Sequence, residues 1–194
     1  FSSDEQWKSN NLLEFKALDY FVHNAGSPDG VIDGGIIVFA AGNEYAPAAS
    51  YPAAYPDYIS VAATAADYTP AVYTNYGTGT TISAPGGDQD YYFEYGEGVN
   101  KGALGCVLST MPLTITGEDG PLSGYGYMEG TSMACPHVSG VVALGISYAA
   151  KLRKHFKAEE LKALLYETSR PVEQVWNMDA PKQYYTFVAD LGGV

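Results

Sequence analysis

The segment Gly130-Thr131-Ser132-Met133-Ala134-Cys135-Pro136-His137-Val138-Ser139-Gly140 sets two hydroxyl side chains between a glycine and a run of small residues. Its composition predicts a helix continuing to about Lys151, with the glycine permitting a sharp turn just before it. Thr131 is placed to cap that helix, its side-chain oxygen accepting from an amide one turn on. Ser132 then stands in the first turn, where free N–H groups and the positive end of the helix dipole face any developing negative charge. Acyl transfer wants its serine in such a place, and so does ordinary capping.

A nucleophilic serine needs a base, and the chain has three histidines. His137 lies five residues beyond Ser132, which on a helix is about 140° past a full turn and about 7.5 Å along the axis. It faces elsewhere and reads as structural. His23 sits alone on an amphipathic stretch, and His155 lies among Lys151, Arg153 and Lys154, so both read as surface residues. Asn43 closes the apolar run Gly35-Ile36-Ile37-Val38-Phe39-Ala40-Ala41-Gly42-Asn43-Glu44. Sites in open α/β sheets gather at the carboxyl ends of strands, where Asn43 would stand. As a purely structural residue it would hold the turn.

The eleven residues from Gly130 to Gly140 resemble the serine motif of the subtilisin-like serine peptidases, Gly-Thr-Ser-Met-Ala-x-Pro-His-Val-x-Gly. Ala40-Ala41-Gly42-Asn43 resembles that family's Ala-Ala-Gly-Asn motif, and Tyr51-Pro52-Ala53 and Ala84-Pro85-Gly86 match two further landmarks in the family's order. The resemblance implies that Ser132 attacks the scissile carbonyl and that the Asn43 amide donates to the oxyanion. It implies that Ala40, Ala41 and Gly42 form one wall of the substrate side-chain pocket. Such an oxyanion donor is worth roughly 3–4 kcal/mol in a subtilisin. The family's Asp-Ser/Thr-Gly and His-Gly-Thr-His contexts, which carry the other two triad members, do not occur in this chain. The resemblance therefore runs from Leu12 to about Pro171 and covers the second half of a catalytic domain.

The elements that must position these residues follow from periodicity. Residues 1–11 are polar and could start a helix. Leu12, Phe15, Leu18 and Val22 recur at helical spacing, widened by Leu13, Phe21 and Ala25, and Gly26 stops the pattern. The run from Gly35 suits a strand buried on both faces of a parallel sheet. Tyr58–Thr64 and Thr80–Gly86 read as two more strands, separated by a polar, turn-rich stretch centred on Thr74-Asn75-Tyr76-Gly77. Residues 102–110 read as a strand with a hairpin partner. The serine helix has almost no polar face until Ser147 and is expected to be a buried central helix. Pro136 removes one donor, that to the Ser132 carbonyl, a tolerable loss so near the helix start. A last helix over 158–169 presents Leu161, Leu164 and Leu165 inward, and an edge strand is expected at 184–189. The fold expected is α/β, a mostly parallel sheet flanked by helices, subtilisin-like with its N-terminal half missing. Residues 1–194 are read as a single partial domain carrying an acidic loop insertion at about 87–127.

Composition limits the alternatives. An apolar share of 46% and a charged share of 16% describe a globular protein. A net charge of −12 argues against nucleic acid and anionic membrane as partners, and no unbroken run of 18 apolar residues suggests a membrane span. Cys106 and Cys135 are read as reduced and structural, and cysteines and histidines show no zinc spacing. No cofactor is expected. Asp88, Asp90, Glu94, Glu97, Glu118 and Asp119 could hold calcium, which many subtilases bind, but a solvated acidic loop is the preferred reading. Many tyrosines and few lysines suit a secreted or cell-envelope protein. The sequence ends as though cut inside a longer protein, so the fragment is expected to lack turnover and, with a sheet edge open, to self-associate. A peptide or protein is the expected substrate of the intact enzyme; a non-catalytic module on the same scaffold is the alternative.

Overall fold

The computed structural model describes residues 3–66, 68–89, 103–112, 116–117, 120–121 and 124–171. Two helices open the chain, α1 (Asp4–Asn10) and α2 (Leu12–Asn24). The Ser3 hydroxyl caps α1 by accepting from the Gln6 amide at 3.2 Å, and Asp4 and Glu5 in its first turn suit the helix dipole. Then come β1 (Ile32–Asp33), β2 (Val38–Ala40), β3 (Ile59–Thr64) and β4 (Ile82–Pro85). After a short 3₁₀ turn at Ala103–Gly105 follow β5 (Val107–Thr110), β6 (Thr116–Gly117), β7 (Gly120–Pro121) and β8 (Tyr125–Met128). The described residues end with α3 (Thr131–Lys151), β9 (Phe156–Lys157) and α4 (Ala158–Thr168).

The central sheet is parallel, in the order β2-β3-β4, with Val38 opposite Ile59 and Val61 opposite Ile82. Side chains alternate across it, as strand geometry requires. Ile59, Val61 and Ala63 join Ala134 and Val138 of α3 in one core, with Val38 and Ile82 beside them. On the opposite face Ile37 and Tyr58 pack with Trp7, Phe15, Leu18 and Val22 of the first two helices. Helices on both faces of a parallel sheet make this an α/β fold, as the sequence indicates. Among the described residues three smaller pairs lie beside it: β5 with β8 and β6 with β7, both antiparallel, and β1 with β9, parallel.

Trp7 anchors the outer layer. It is 1% exposed and stacks on Tyr51 at 5.9 Å, with Phe15, Tyr55 and Tyr58 around it. The Tyr51 hydroxyl donates to the Asp4 carboxylate. That bond, reinforced by burial and the nearby charge, pushes the phenol up to about 12. The folded chain thus keeps a proton that an unfolded tyrosine gives up near pH 10. The contact's contribution is complete below about pH 10 and is expected to vanish as pH rises through about 12. Ultraviolet titration of Tyr51→Phe against the wild type should remove one late-titrating phenol and this alkaline step in stability.

Several expectations need correcting. β2 is half-buried along its length, whereas β3 is buried throughout; among the described residues β3 has a strand on each side and β2 has a neighbour on one side only. The serine helix covers 131–151 as expected, but among its residues only Thr131, Ala134, Val138 and Ala149 are buried. Val141, Leu144 and Tyr148 are 54%, 71% and 61% exposed, because nothing among the described residues covers that side. In α2, Phe15, Leu18 and Val22 face the core, while Leu12, Leu13 and Phe21 are exposed. In α4, Leu161 is buried but Leu164 is exposed. Lys162 takes up the inner position, its ammonium donating to Asp57 O at 3.0 Å and pairing with Glu159 at 2.8 Å.

The acidic insertion is also revised where it is described. Asp88 is fully buried; its carboxylate accepts from the Val72 amide at 3.1 Å and its own amide donates to Gly105 O at 2.8 Å. It belongs to the scaffold and not to a solvated loop. Asp90, Glu94, Glu97, Glu118 and Asp119, and the strand expected at 184–189, lie outside the described residues. Within the expected strand 102–110, extended pairing starts at Val107, and its hairpin partner is β8.

Candidate active site

The carboxyl ends of the three parallel strands and the start of α3 meet at one place. β2 runs into Ala41, whose amide donates to Val61 O at 2.9 Å. β4 runs into Gly86, whose carbonyl accepts from the Gly130 amide at 3.0 Å and from the Tyr73 hydroxyl at 3.0 Å. Burial pushes the Tyr73 phenol well above its ordinary value, so it stays a donor. Gly86 has to be glycine: an added Cβ would stand 2.4 Å from the Ala63 Cβ and 2.8 Å from Gly130 O.

Gly130 is the N-cap of α3, at φ +146°, and no side chain caps the helix. This corrects the capping role expected of Thr131. Thr131 is already helical and 1% exposed, and its polar groups point to the strand end. Its amide and its hydroxyl both donate to Asn43 Oδ1, at 2.9 and 2.8 Å. The same hydroxyl oxygen accepts from the Gly42 amide at 3.3 Å. Asn43 and Ser132, separated by almost half the chain, are thereby brought side by side.

The pairing decides which way the Asn43 amide points. With Oδ1 occupied by two donors, Nδ2 is left as the outward donor, without a partner among the described residues. The Ser132 amide is likewise without one, as first-turn amides of a helix are. Both border a single small volume: the position a Cβ on Gly130 would take is 3.5 Å from Asn43 Nδ2 and 3.6 Å from Ser132 N. Asn43 and Ser132 are both exposed, so the two donors and the hydroxyl can meet a ligand. Of the small residues before Asn43, Ala40 and Gly42 are half-buried and Ala41 is fully buried with Ala49 and Ala53. A cleft of about 300 Å³ lies between Val107, Leu108 and Ser109 of β5 and Met133, Pro136 and His137 of α3.

Each histidine directs Nδ1 at a backbone carbonyl: His137 to Met133, His23 to Asp19 and His155 to Gly30, at 2.8, 2.8 and 2.7 Å. None is bonded to Ser132. Neither cysteine is in a disulfide, and burial pushes both thiols up, which favours their protonated form. Among the described residues no three acidic, cysteine or histidine side chains gather as a metal site. Length and composition alone would let α3 cross a membrane; here it packs along β2, β3 and β4.

Sequence reasoning missed the Thr131–Asn43 pair. The signal was a threonine directly before the serine, which fits a cap equally well, and only the fold tells the two apart. Thr131→Val keeps the shape and removes both hydroxyl bonds. It is expected to lower stability by about 1–3 kcal/mol, the usual effect of orphaning buried polar partners, read as a lower denaturant midpoint.

The Subtilase family model matches residues 4–186. The chain is 37% identical over 138 residues to an extracellular basic protease of Dichelobacter nodosus, covering 70% of this chain and 19% of that protein. It is 32% identical over 148 residues to subtilisin BL of Lederbergia lenta, covering 72% and 44%. Among solved structures, a protease of Pseudoalteromonas arctica superposes with a TM-score of 0.52 at 31% identity, over 70% of this chain and 36% of that one. A lanthipeptide protease reaches a TM-score of 0.62 over 87% of this chain and 50% of its own, at 23% identity, a likeness of fold alone. The chain thus spans from 19% to 50% of the lengths of these proteins. A serine at the head of a helix, an asparagine at a strand tip and a match across 4–186 agree: this chain belongs to the subtilase family of serine peptidases.

Proposed function

We propose that this chain supplies the nucleophile and the oxyanion site of an endopeptidase that hydrolyses peptide bonds through an acyl-enzyme. Ser132 Oγ attacks the carbonyl carbon while a histidine outside this chain takes its proton. The carbonyl oxygen becomes an oxyanion held by Asn43 Nδ2 and the Ser132 amide. Collapse expels the amine, which receives the proton, and water then releases the acid by the same steps. Ala40 and Gly42 would line the pocket for the substrate side chain, Ala41 backing them from beneath.

One observation carries this reading. Thr131 takes both lone pairs of Asn43 Oδ1, which leaves Nδ2 as a free donor beside the free Ser132 amide. Preorganised donors of this kind stabilise charge without reorganising during the reaction.

The missing base and its aspartate would come with the remainder of the parent domain. The share of each relative that is covered, 19% and 44% in the two curated cases above, supports this. So does the exposed apolar stripe of Val141, Leu144 and Tyr148 on one side of α3, the kind of surface that marks an interface. Export is proposed because relatives are named extracellular. A fluorophosphonate probe tests the reading: the intact protein should be labelled at Ser132, located by peptide mass mapping, and the isolated chain should be labelled far more slowly. A folded, intact protein that resists labelling would favour a non-catalytic module.

A further inference from the structure

We propose that Asn75 is a positioning residue that holds the Asn43 amide in place from behind. The inference rests on the oxyanion reading above and extends it to a residue that touches neither substrate nor Ser132. Asn75 is 1% exposed and lies in the turn-rich stretch between β3 and β4. Its Oδ1 accepts from the amides of Glu44 and Ala46, at 2.9 and 3.0 Å. Its Nδ2 donates to Ala41 O at 3.1 Å and to Glu44 Oε2 at 2.7 Å, with Ser50 Oγ at 3.4 Å. Its backbone amide donates to Gly42 O at 3.0 Å.

An asparagine side chain offers two lone pairs and two donors, and every one of these is directed at the loop that carries Asn43. The partners are the residues on either side of it: Ala41 and Gly42 before, Glu44 and Ala46 after. Asn43 itself is exposed, and an exposed loop residue ordinarily moves. Here its side chain is held by Thr131 and its backbone is clamped on both flanks by Asn75.

The clamp is itself tied to the sheet. Thr74 is 1% exposed; its hydroxyl oxygen accepts from the Ala63 amide of β3 at 2.9 Å and donates to Asn75 O at 3.1 Å. A continuous path of buried bonds therefore runs from the central strand through Thr74 and Asn75 to the strand tip. Gly42 is matched to it: at φ +115°, a Cβ there would stand 2.4 Å from Asn75 Nδ2. The amide occupies the space that a side chain at position 42 would need.

The test is a double-mutant cycle on kcat in the intact protein. Asn75→Ala should lower kcat by about 10- to 100-fold with little change in KM, the effect of displacing a catalytic group by about 1 Å. In the Asn43→Ala background the same change should alter kcat less than about twofold, since the group it positions is gone. A wild-type kcat for Asn75→Ala, or a loss that adds in full to that of Asn43→Ala, overturns the positioning role and leaves the oxyanion reading standing. An Asn43→Ala variant with undiminished kcat overturns both.

Should Asn75→Ala not fold, an isosteric pair decides. Asn75→Asp keeps the oxygen that serves Glu44 N and Ala46 N, but sets a carboxylate against the Glu44 carboxylate. Its kcat should fall, and adding Glu44→Gln, which supplies a donor opposite, should restore it at least severalfold. A folded double variant without that recovery, or Asn75→Asp with full kcat, rejects the proposal.

Discussion

Replacing Ser132 by alanine in the intact protein is expected to reduce kcat by about a millionfold, the figure for the nucleophile of a subtilisin. The structure makes the variant unusually clean. Ser132 is exposed, and its Oγ has no hydrogen-bond partner among the described residues, so removing it orphans nothing. Thermal unfolding should be unchanged within about 0.5 kcal/mol, the range of neutral surface substitutions. The residual rate should still exceed the uncatalysed one by about 10³–10⁴, because binding and the oxyanion donors persist. Steady-state hydrolysis of a peptide amide, alongside mass analysis for the lost fluorophosphonate adduct, checks both halves. Persistence of turnover at the wild-type rate would remove Ser132 from the chemistry.

The second large effect is at Asn43, and here the choice of variant matters. Loss of one such donor should lower kcat by about 100- to 1000-fold while KM changes little, because the bond forms fully only in the transition state. Alanine, however, also strips the acceptor from Thr131, a buried residue whose amide and hydroxyl both donate to Asn43. That carries a stability loss of about 1–3 kcal/mol, which could be mistaken for lost activity at assay temperature. Asn43→Asp retains the acceptor and removes the outward donor, so it should fold nearly as well as the wild type. Its kcat should fall at least as far as that of alanine, since a carboxylate now faces the developing oxyanion. Parallel kinetics and denaturant titrations on the two variants separate the roles: a kcat loss at least as large for aspartate, with the higher stability of the two, is the expected pattern. An aspartate variant with near-normal kcat would mean that Nδ2 does not meet the oxyanion.

Much of the scaffold was readable from local pattern. β3 and β4 fall within the stretches read as strands, Tyr58–Thr64 and Thr80–Gly86, and α3 begins at Thr131 and ends at Lys151, as its small and apolar residues imply. β5 lies within the apolar piece read as a strand with a hairpin partner, and β8 supplies that partner. These elements depend on periodicity within a few residues, and a chain displays that without being folded. Burial was less legible. An apolar stripe on α3 announces that something should cover it, but Leu144, 71% exposed, shows that the cover need not lie in the same stretch of chain. Asp88 erred in the opposite direction: a carboxylate in an acidic stretch looks solvated until a backbone amide from Val72 is found bonded to it.

For the site, the sequence by itself determined which side chains could do chemistry: Ser132 at the head of a helix and Asn43 at the tip of a strand. Only the tertiary structure decided how they are held. Thr131 meets Asn43 across 88 positions, and Asn75 meets Glu44 and Ala46 across about 30. Thr131 as a cap and Thr131 as a clamp are the same residue in the same local context, and so are Asn75 as a turn former and Asn75 as a support. Short-range preference comes from each residue's own backbone and neighbours, whereas the partner of a buried polar group is chosen by whichever distant segment the closing core brings against it.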